Sequence, residues 1–284
     1  MKGRLGKTLG CLALLAALAL PCDSRGETTR AARRIVSLAP SVTEILYAMG
    51  VGKRVVGTTE HSDYPAEAAG LPTVGQYMSP ELERIVALRP DLCVGLSEAT
   101  SPRLVEALAR LGIPMFLTNA SRLDRMLDSI GELGAFLGVE EQALRLKRQY
   151  SERLESIRRF GNKAGHPRVL TIISVSPLYA AGPGSFIADM VRCAGGNPLG
   201  LDDGKAWQGL SREAVIWLKP DIILFAAHSG SIPEWMRQYP LDSAEVVAID
   251  PSLVIRPSPR LIDTAGFLAR EFHRLSAEPT TPNE

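Results

Sequence analysis

The side chains that could carry out chemistry are sparse in this chain of 284 residues. No HExxH, GxSxG or GxxxxGK[ST] motif occurs, and the four histidines lack the spacing of a metal site. The glycine-rich stretches also lack the GxGxxG order that dinucleotide phosphates require. We therefore expect a protein that binds a molecule without converting it, with no catalytic residue and no resident metal or cofactor.

Two acidic residues, Glu83 and Glu213, occupy equivalent places in an internal repeat. Residues 83–92 and 213–222 each have Glu seven positions before a proline, Leu two before it and a basic residue directly before it. In both segments Asp and an aliphatic residue follow the proline. The repeat indicates a duplicated lobe. A purely structural role is the alternative for each glutamate, because an acidic first turn stabilises a helix by about 0.3–1 kcal/mol.

Alternating strands and helices must position these residues. The hydrophobic pattern of the first half predicts strand 35–38, a helix capped by Ser41 with Glu44 as partner, strand 55–56, helix 82–88, strand 92–96, helix 102–111 and strand 115–117. The order restarts with strand 169–175, helix 186–193 capped by Ser185, helix 213–218, strand 222–225, strand 246–249 and helix 261–275. This alternation predicts an α/β fold of two Rossmann-like lobes with parallel central sheets.

A long, rigid α-helix is predicted to join the lobes. Residues 139–160 are dense in helix formers and contain neither Gly nor Pro. Their apolar side chains recur with rough helical spacing at Leu144, Leu146, Tyr150, Leu154 and Ile157. The stretch before it is weakened by three glycines. We therefore expect an N-terminal lobe at 33–120, a linker at 121–162 and a C-terminal lobe at 167–276.

The first residues have the pattern of a secretory signal peptide. Three basic residues precede an apolar run at 9–20, which is shorter than the roughly 20 residues of a membrane span. We place the signal peptide at 1–26, with a lipid anchor on Cys22 as the alternative. The net charge of +1 gives no electrostatic footprint for a nucleic-acid partner.

The cysteines beyond this leader are Cys93 and Cys193. Their predicted positions, in a strand of one lobe and a helix of the other, favour two buried thiols. A disulfide is the alternative in an exported protein.

Several stretches together resemble a known family. They are Arg-Ile-Val-Ser-Leu-Ala-Pro-Ser-Val-Thr-Glu at 34–44, His-Ser-Asp-Tyr-Pro at 61–65, the motifs at 82–92 and 210–215, and Arg-Pro-Ser-Pro-Arg at 256–260. The chain resembles the vitamin B12-binding proteins of ABC importers, within the helix-linked (class III) substrate-binding proteins. The resemblance implies a periplasmic monomer that captures one corrinoid, cobalamin, in a cleft between lobes. It also implies delivery of that corrinoid to a permease dimer in the inner membrane.

The resemblance implies roles for two pairs of residues. Glu83 and Glu213 would dock to permease arginines, and they are the pair that the repeat singles out; duplicated lobes suit a symmetric receptor. Tyr77 and Trp207, six residues before each glutamate, would contact the corrin ring. Large aromatic side chains suit a flat, mostly apolar ligand. An ordinary core position is the alternative for either aromatic residue.

Further cleft candidates come from the same resemblance. His61 occupies a position where the family commonly has Tyr, so it would contact the ring, and either cobalt ligation or a plain hydrogen bond is open to it. Tyr179 and Arg260 are further ligand-binding candidates, with turn or surface positions as the alternative. Leu96 stands where the vitamin B12-binding family has a tryptophan. The chain therefore departs from the family pattern at a position that would face one side of the corrin ring.

Two other function classes remain open. A haem-binding protein of the same class would use Tyr77 or His61 as axial ligand, whereas a ferric-siderophore binder would favour arginines in the cleft. An exported two-lobed enzyme or metallocluster protein would need Cys or His ligands that converge on the cleft. Fold alone does not decide among these classes.

Overall fold

Each half of the chain is built around an open sheet. The computed structural model describes residues 32–163, 165–227, 232–238 and 244–277. The predicted signal peptide at 1–26 and the alternative anchor Cys22 lie outside the described residues. Within those ranges, no helix combines the length and apolar character needed to cross a membrane.

The first half has an all-parallel sheet. In chain order it contains β1 (Ile35–Ser37), α1 (Pro40–Ala48), β2 (Val55–Gly57), β3 (Gly75–Gln76), β4 (Ser79–Pro80), α2 (Leu82–Ala87), β5 (Leu92–Leu96), α3 (Pro102–Arg110) and β6 (Met115–Thr118). The sheet order is β2-β1-β5-β6, and every neighbouring pair is parallel. Its strands are short and mostly buried because helices cover both faces. The α/β prediction is confirmed here.

Two consecutive helices, α4 (Leu123–Phe136) and α5 (Glu140–Gly161), connect the halves. The 22 residues of α5 correspond to about 33 Å of helix, which confirms the predicted long connector. Leu144 is 39% exposed and does not belong to the buried stripe to which the sequence assigned it. Leu154 and Ile157 of that stripe are buried, and Leu146 and Tyr150 are partly buried against the same core; Ala143 and Gly161 of the helix are buried as well.

The second half has a mixed sheet. It contains β7 (Arg168–Val175), β8 (Leu178–Ala181), α6 (Phe186–Cys193), β9 (Asn197–Pro198), β10 (Trp207–Gly209), α7 (Arg212–Leu218), β11 (Ile222–Phe225), α8 (Glu234–Gln238), β12 (Glu245–Ala248) and α9 (Arg260–Ala277). The order is β10-β8-β7-β11-β12, with β9 also paired to β7.

Strands β7, β11 and β12 are parallel as predicted, but β8 and β10 are antiparallel additions. The sequence analysis did not predict these two strands. They are only four and three residues long and lie among glycines, so their hydrophobic alternation is too short to recognise.

The internal repeat extends to individual hydrogen bonds. In the first half, the Arg34 guanidinium donates to the Leu88 carbonyl at 2.7 Å, and the Asp91 carboxylate accepts from the Arg34 N–H at 2.9 Å. These bonds tie the end of α2 to the start of β1. They satisfy a carbonyl that the helix end leaves without an intrahelical partner.

The second half repeats the same arrangement. The Arg168 guanidinium donates to the Leu218 carbonyl, and the Asp221 carboxylate accepts from the Arg168 N–H at 2.6 Å. The helix-ending residues Arg89 and Lys219 both have φ of +46°. Equivalent residues therefore form equivalent contacts, as expected of a duplicated lobe.

The predicted cap at Ser41 is wrong. Helix α1 begins at Pro40 after Ala39, with no side-chain cap, because proline fixes φ and has no N–H to satisfy at a helix start. Ser185 does cap α6, since its hydroxyl accepts from the Ala188 N–H at 3.1 Å. Glu44, the expected partner of Ser41, is buried and has another role.

A continuous core joins the two halves through the connector. It includes Ile35 of β1, Leu133 of α4, Leu154 of α5 and Phe272 of α9. By their contacts, the described residues between 32 and 277 form one compact unit. The lobe boundaries at 33–120, 121–162 and 167–276 stay a prediction.

Candidate functional site

A cavity of about 470 Å³ has walls from both halves. The first half contributes the start of α1, the loop after β2, the β3–β4 hairpin and the end of β5. The second half contributes the segment before α9. The lining residues are Ala39, Pro40, Ser41, Glu60, His61, Tyr77, Leu96, Ile255, Arg256 and Pro257. Three residues that the sequence analysis singled out, His61, Tyr77 and Leu96, therefore come together.

Tyr77 lies at the tip of the β3–β4 hairpin. Gln76 pairs with Ser79 across a two-residue turn, and Gly75 has a φ of +101° that a residue with a Cβ rarely adopts. The ring is 37% exposed. Burial raises the pKa of the Tyr77 hydroxyl, and the Glu98 carboxylate raises it further. The hydroxyl is therefore a neutral donor at physiological pH.

His61 is exposed and has a left-handed backbone, with φ of +64°. Its loop is tied to the Tyr77 hairpin, because the Glu60 N–H donates to the Gly75 carbonyl at 2.9 Å. A left-handed residue other than glycine is uncommon, and such residues concentrate at functional sites. The backbone bond holds His61 and Tyr77 on one wall of the cavity.

Arg256 is a cavity residue that the sequence analysis did not single out. It precedes α9, and its guanidinium donates to the Asp63 carboxylate at 2.8 Å while lying 4.0 Å from Glu44 Oε1. The motif Arg-Pro-Ser-Pro-Arg contained the signal, because it has an arginine at each end. Only the second of these was chosen as a ligand contact.

Arg260, that second arginine, does not line the cavity with His61 and Tyr77. Its guanidinium donates two hydrogen bonds to Glu44, at 3.0 and 2.6 Å, and lies 4.4 Å from the centre of the Tyr64 ring. It faces a separate cavity of about 720 Å³, which Tyr47 and Tyr150 also line.

Trp207 and Tyr179 lie on the neighbouring strands β10 and β8. Gly209 pairs with Tyr179 and Trp207 pairs with Ala181, so the two aromatic residues are diagonal neighbours on one face. They are 45% and 41% exposed. Trp207 also contacts Phe186 edge-to-face, with ring centres 5.9 Å apart. They are accessible, but they do not line the cavity that contains Tyr77.

Glu83 and Glu213 are both exposed in the first turns of α2 and α7. The repeat therefore presents them in equivalent positions. The N–H of Glu213 itself and the Ser211 hydroxyl lower the pKa of the Glu213 carboxyl by hydrogen bonding. The Ser211 hydroxyl also accepts from the Ala214 N–H at 3.1 Å, so Ser211 caps the start of this helix.

The two cysteines within the described residues, Cys93 and Cys193, are buried free thiols, as predicted. Burial raises the pKa of the Cys93 thiol to about 12, so it is protonated and unreactive at neutral pH. Among the residues that the structure describes, no group of three or more His, Cys, Asp or Glu side chains could hold a metal ion.

Comparison with known proteins shows which family this chain resembles. Residues 35–242 match the family model described as periplasmic binding protein. A vitamin B12-binding protein of Yersinia pestis (strain Pestoides F) is 28% identical over 262 residues, which cover 91% of this chain and 90% of that protein.

Two solved structures have the same fold. The periplasmic vitamin B12-binding protein of Vibrio cholerae is 26% identical, with a TM-score of 0.76 over 87% of this chain and 99% of that chain. The apo form of a periplasmic haem-binding protein from Roseiflexus sp. RS-1 is also 26% identical, with a TM-score of 0.77 over 86% and 99%. Since the family model spans most of the sequence, the chain belongs to the periplasmic binding protein family.

Proposed function

We propose that the protein is the solute-binding component of an ABC importer and that it captures a corrinoid, cobalamin, without altering it. The observation that carries the proposal is the cavity of about 470 Å³ with walls from both halves. Cavities of roughly 300–1,000 Å³ with mainly apolar walls and a few polar groups typically bind small molecules. The similarity to a vitamin B12-binding protein over most of both chains supports a corrinoid.

The cavity residues suit a flat, amphipathic solute. Tyr77 offers a ring face and a neutral hydroxyl, while Leu96 and Ile255 offer apolar contacts. Arg256 presents a planar set of donors that suits the carboxylate or amide oxygens at the edge of a macrocycle. Tyr179 and Trp207 would supply a further aromatic surface from the second half.

Delivery of the solute to the permease requires a second surface of the protein, outside the cavity. We propose that Glu83 and Glu213, exposed at equivalent positions of α2 and α7, pair with cationic residues of the two permease subunits. Duplicated lobes present equivalent anionic groups to a two-fold receptor. The protein would act as a periplasmic monomer after removal of residues 1–26.

Haem is the second candidate solute. The solved haem-binding protein from Roseiflexus matches this chain as well as the vitamin B12-binding protein from Vibrio does. His61 and Tyr77 both line the cavity, and histidine and tyrosine both serve as axial ligands of haem iron. This pair of residues favours haem over a ferric siderophore.

Titration of the purified, processed protein tests the proposal. Cyanocobalamin and haemin are added separately and followed by calorimetry, tryptophan fluorescence and visible absorption. We expect cyanocobalamin to bind one to one with a nanomolar Kd, about −12 kcal/mol. A Soret shift with haemin, without heat from cyanocobalamin, would select the second candidate. Binding of neither solute would contradict both.

A cavity variant with a matched control locates the binding site. Loss of a buried aromatic contact costs about 1.5–3 kcal/mol, so Tyr77→Ala is expected to raise Kd roughly tenfold to hundredfold. Phe267→Ala is the control, because Phe267 is 38% exposed against 37% for Tyr77 and lines a different groove. Equal effects of the two substitutions would contradict the assignment.

A further inference from the structure

A buried carboxylate, Glu44, lies in α1 at the junction of the two halves. Its side chain is 2% exposed and its partner Arg260 is 18% exposed. The Arg260 Nε and Nη2 atoms donate to Glu44 Oε2 and Oε1 at 3.0 and 2.6 Å. This two-point geometry fixes the direction of the guanidinium as well as its distance. Removal of Glu44 would leave the largely buried Arg260 guanidinium without its carboxylate partner.

The same carboxylate is near a second arginine, which lines the solute cavity. Arg256 Nη1 lies 4.0 Å from Glu44 Oε1 and 2.8 Å from Asp63 Oδ1. The Arg256 side chain is 14% exposed. Its charge is therefore held by one buried and one exposed carboxylate, and both of these are in the first half of the chain.

Arg260 also contacts an aromatic ring of the first half. The Tyr64 ring lies 4.4 Å from the guanidinium carbon, and such a contact is favourable when the cation is shielded from water. Both arginines thus lie at or just before the start of α9, whereas the groups that hold them, Glu44, Asp63 and Tyr64, belong to the first half.

This division suggests a role in alignment. A buried ion pair adds little net stability compared with apolar residues of the same volume, but its direction is specific. The cavity has one wall from each half, and the pair between Glu44 and Arg260 joins those halves directly beside it. Glu44 and Arg260 are therefore placed where they can fix the position of one cavity wall relative to the other.

We infer that Glu44 and Arg260 are positioning residues for solute binding: their ion pair holds the Arg256 segment of the second half in place against the cavity wall of the first half. This inference rests on the proposed function, because it concerns how tightly the cavity holds its solute. Neither residue of the pair has to touch the solute.

Single variants give the first test, with the solute that the wild type binds, cyanocobalamin or haemin. Arg260→Gln is expected to raise Kd at least tenfold at a temperature where circular dichroism shows it folded. Arg260→Lys keeps the charge but cannot form the two-point contact, so its Kd should lie between those of wild type and Arg260→Gln. Arg145→Gln is the control, because Arg145 pairs with Glu141 at an exposed site, with side chains 52% and 81% exposed. It should change Kd less than twofold.

A double-mutant cycle separates positioning from general stability. On an Arg256→Gln background, Arg260→Gln should change Kd less than twofold, because it acts through Arg256, while its effect on Tm should persist. If the two substitutions acted independently, their effects on Kd would instead multiply. If Arg260→Gln does not fold, the double variant Glu44→Gln with Arg260→Gln replaces it, because no buried charge is then left unpaired, and the same rise in Kd is expected.

Two results would overturn the inference. One is an unchanged Kd in folded Arg260→Gln, and the other is a Kd effect that multiplies with that of Arg256→Gln. In both cases the wild type still binds its solute, so the proposed function survives. Failure of the wild type to bind either cyanocobalamin or haemin overturns the proposed function and this inference together.

Discussion

The close packing of the connector helices gives a prediction that can be worked out from the structure. A Cβ added at Gly134 of α4 would lie 2.0 Å from the Cβ of Ala143 in α5, far inside van der Waals contact. Three residues earlier in the same helix, a Cβ at Gly131 would be no closer than 3.8 Å to Lys147. The two glycines therefore allow a matched comparison in one helix.

The two substitutions are expected to change the free energy of unfolding in opposite directions. Alanine in place of glycine inside a helix stabilises by about 0.5–1 kcal/mol, and Gly131→Ala should show this gain. Gly134→Ala has the same gain, but overpacking of a tight core costs about 1–3 kcal/mol and forces the helices apart. We expect a net loss of roughly 1–2 kcal/mol. At about 2–4 °C per kcal/mol for a chain of this size, Tm should fall by several degrees.

Thermal unfolding followed by calorimetry and circular dichroism measures both changes. The double variant Gly134→Ala with Ala143→Gly moves the methyl group from α4 to α5 and should restore Tm to within about 2 °C of wild type, since about 0.5 kcal/mol of residual strain is the most expected. A rise in Tm for Gly134→Ala equal to that for Gly131→Ala would refute this account of the connector.

Two further predictions concern the exposed glutamates and the helix caps. The double variant Glu83→Ala with Glu213→Ala should change the Kd for solute less than twofold but lower uptake through the reconstituted permease at least tenfold; weakened solute binding would argue against docking. Ser185→Ala should lower stability by about 1 kcal/mol, because it removes a cap, whereas Ser41→Ala should change it by less than about 0.5 kcal/mol. Chemical denaturation compares these two, and equal losses would contradict the assignment of caps.

Local patterns in the sequence predicted much of the fold. The α5 helix follows from an uninterrupted run of helix formers, and the parallel strands of both sheets follow from alternating apolar strands and helices. The two short strands β8 and β10 were not predicted, because three or four residues carry too little periodicity. The cap of α1 was predicted wrongly, because Pro40 begins the helix one residue before Ser41.

The candidate site was only partly predictable. His61 and Tyr77 were singled out, and the structure brings them to one cavity. Arg256 was not, because nothing local distinguishes it from Arg260 four residues later. Trp207 and Tyr179 were singled out and are accessible, but which solute they contact is a proposal.

The sequence alone determined what depends on neighbours along the chain: helix and strand types, the internal repeat and the residue equivalences within it. Hydrophobic period, capping and turn chemistry act over a few residues, so they can be recognised without a structure. Only the tertiary structure decided that Glu44 pairs with Arg260, 216 positions away, and that Arg256 lines the cavity. Such contacts depend on how α1 and α9 pack together, and no local pattern encodes the distance between them.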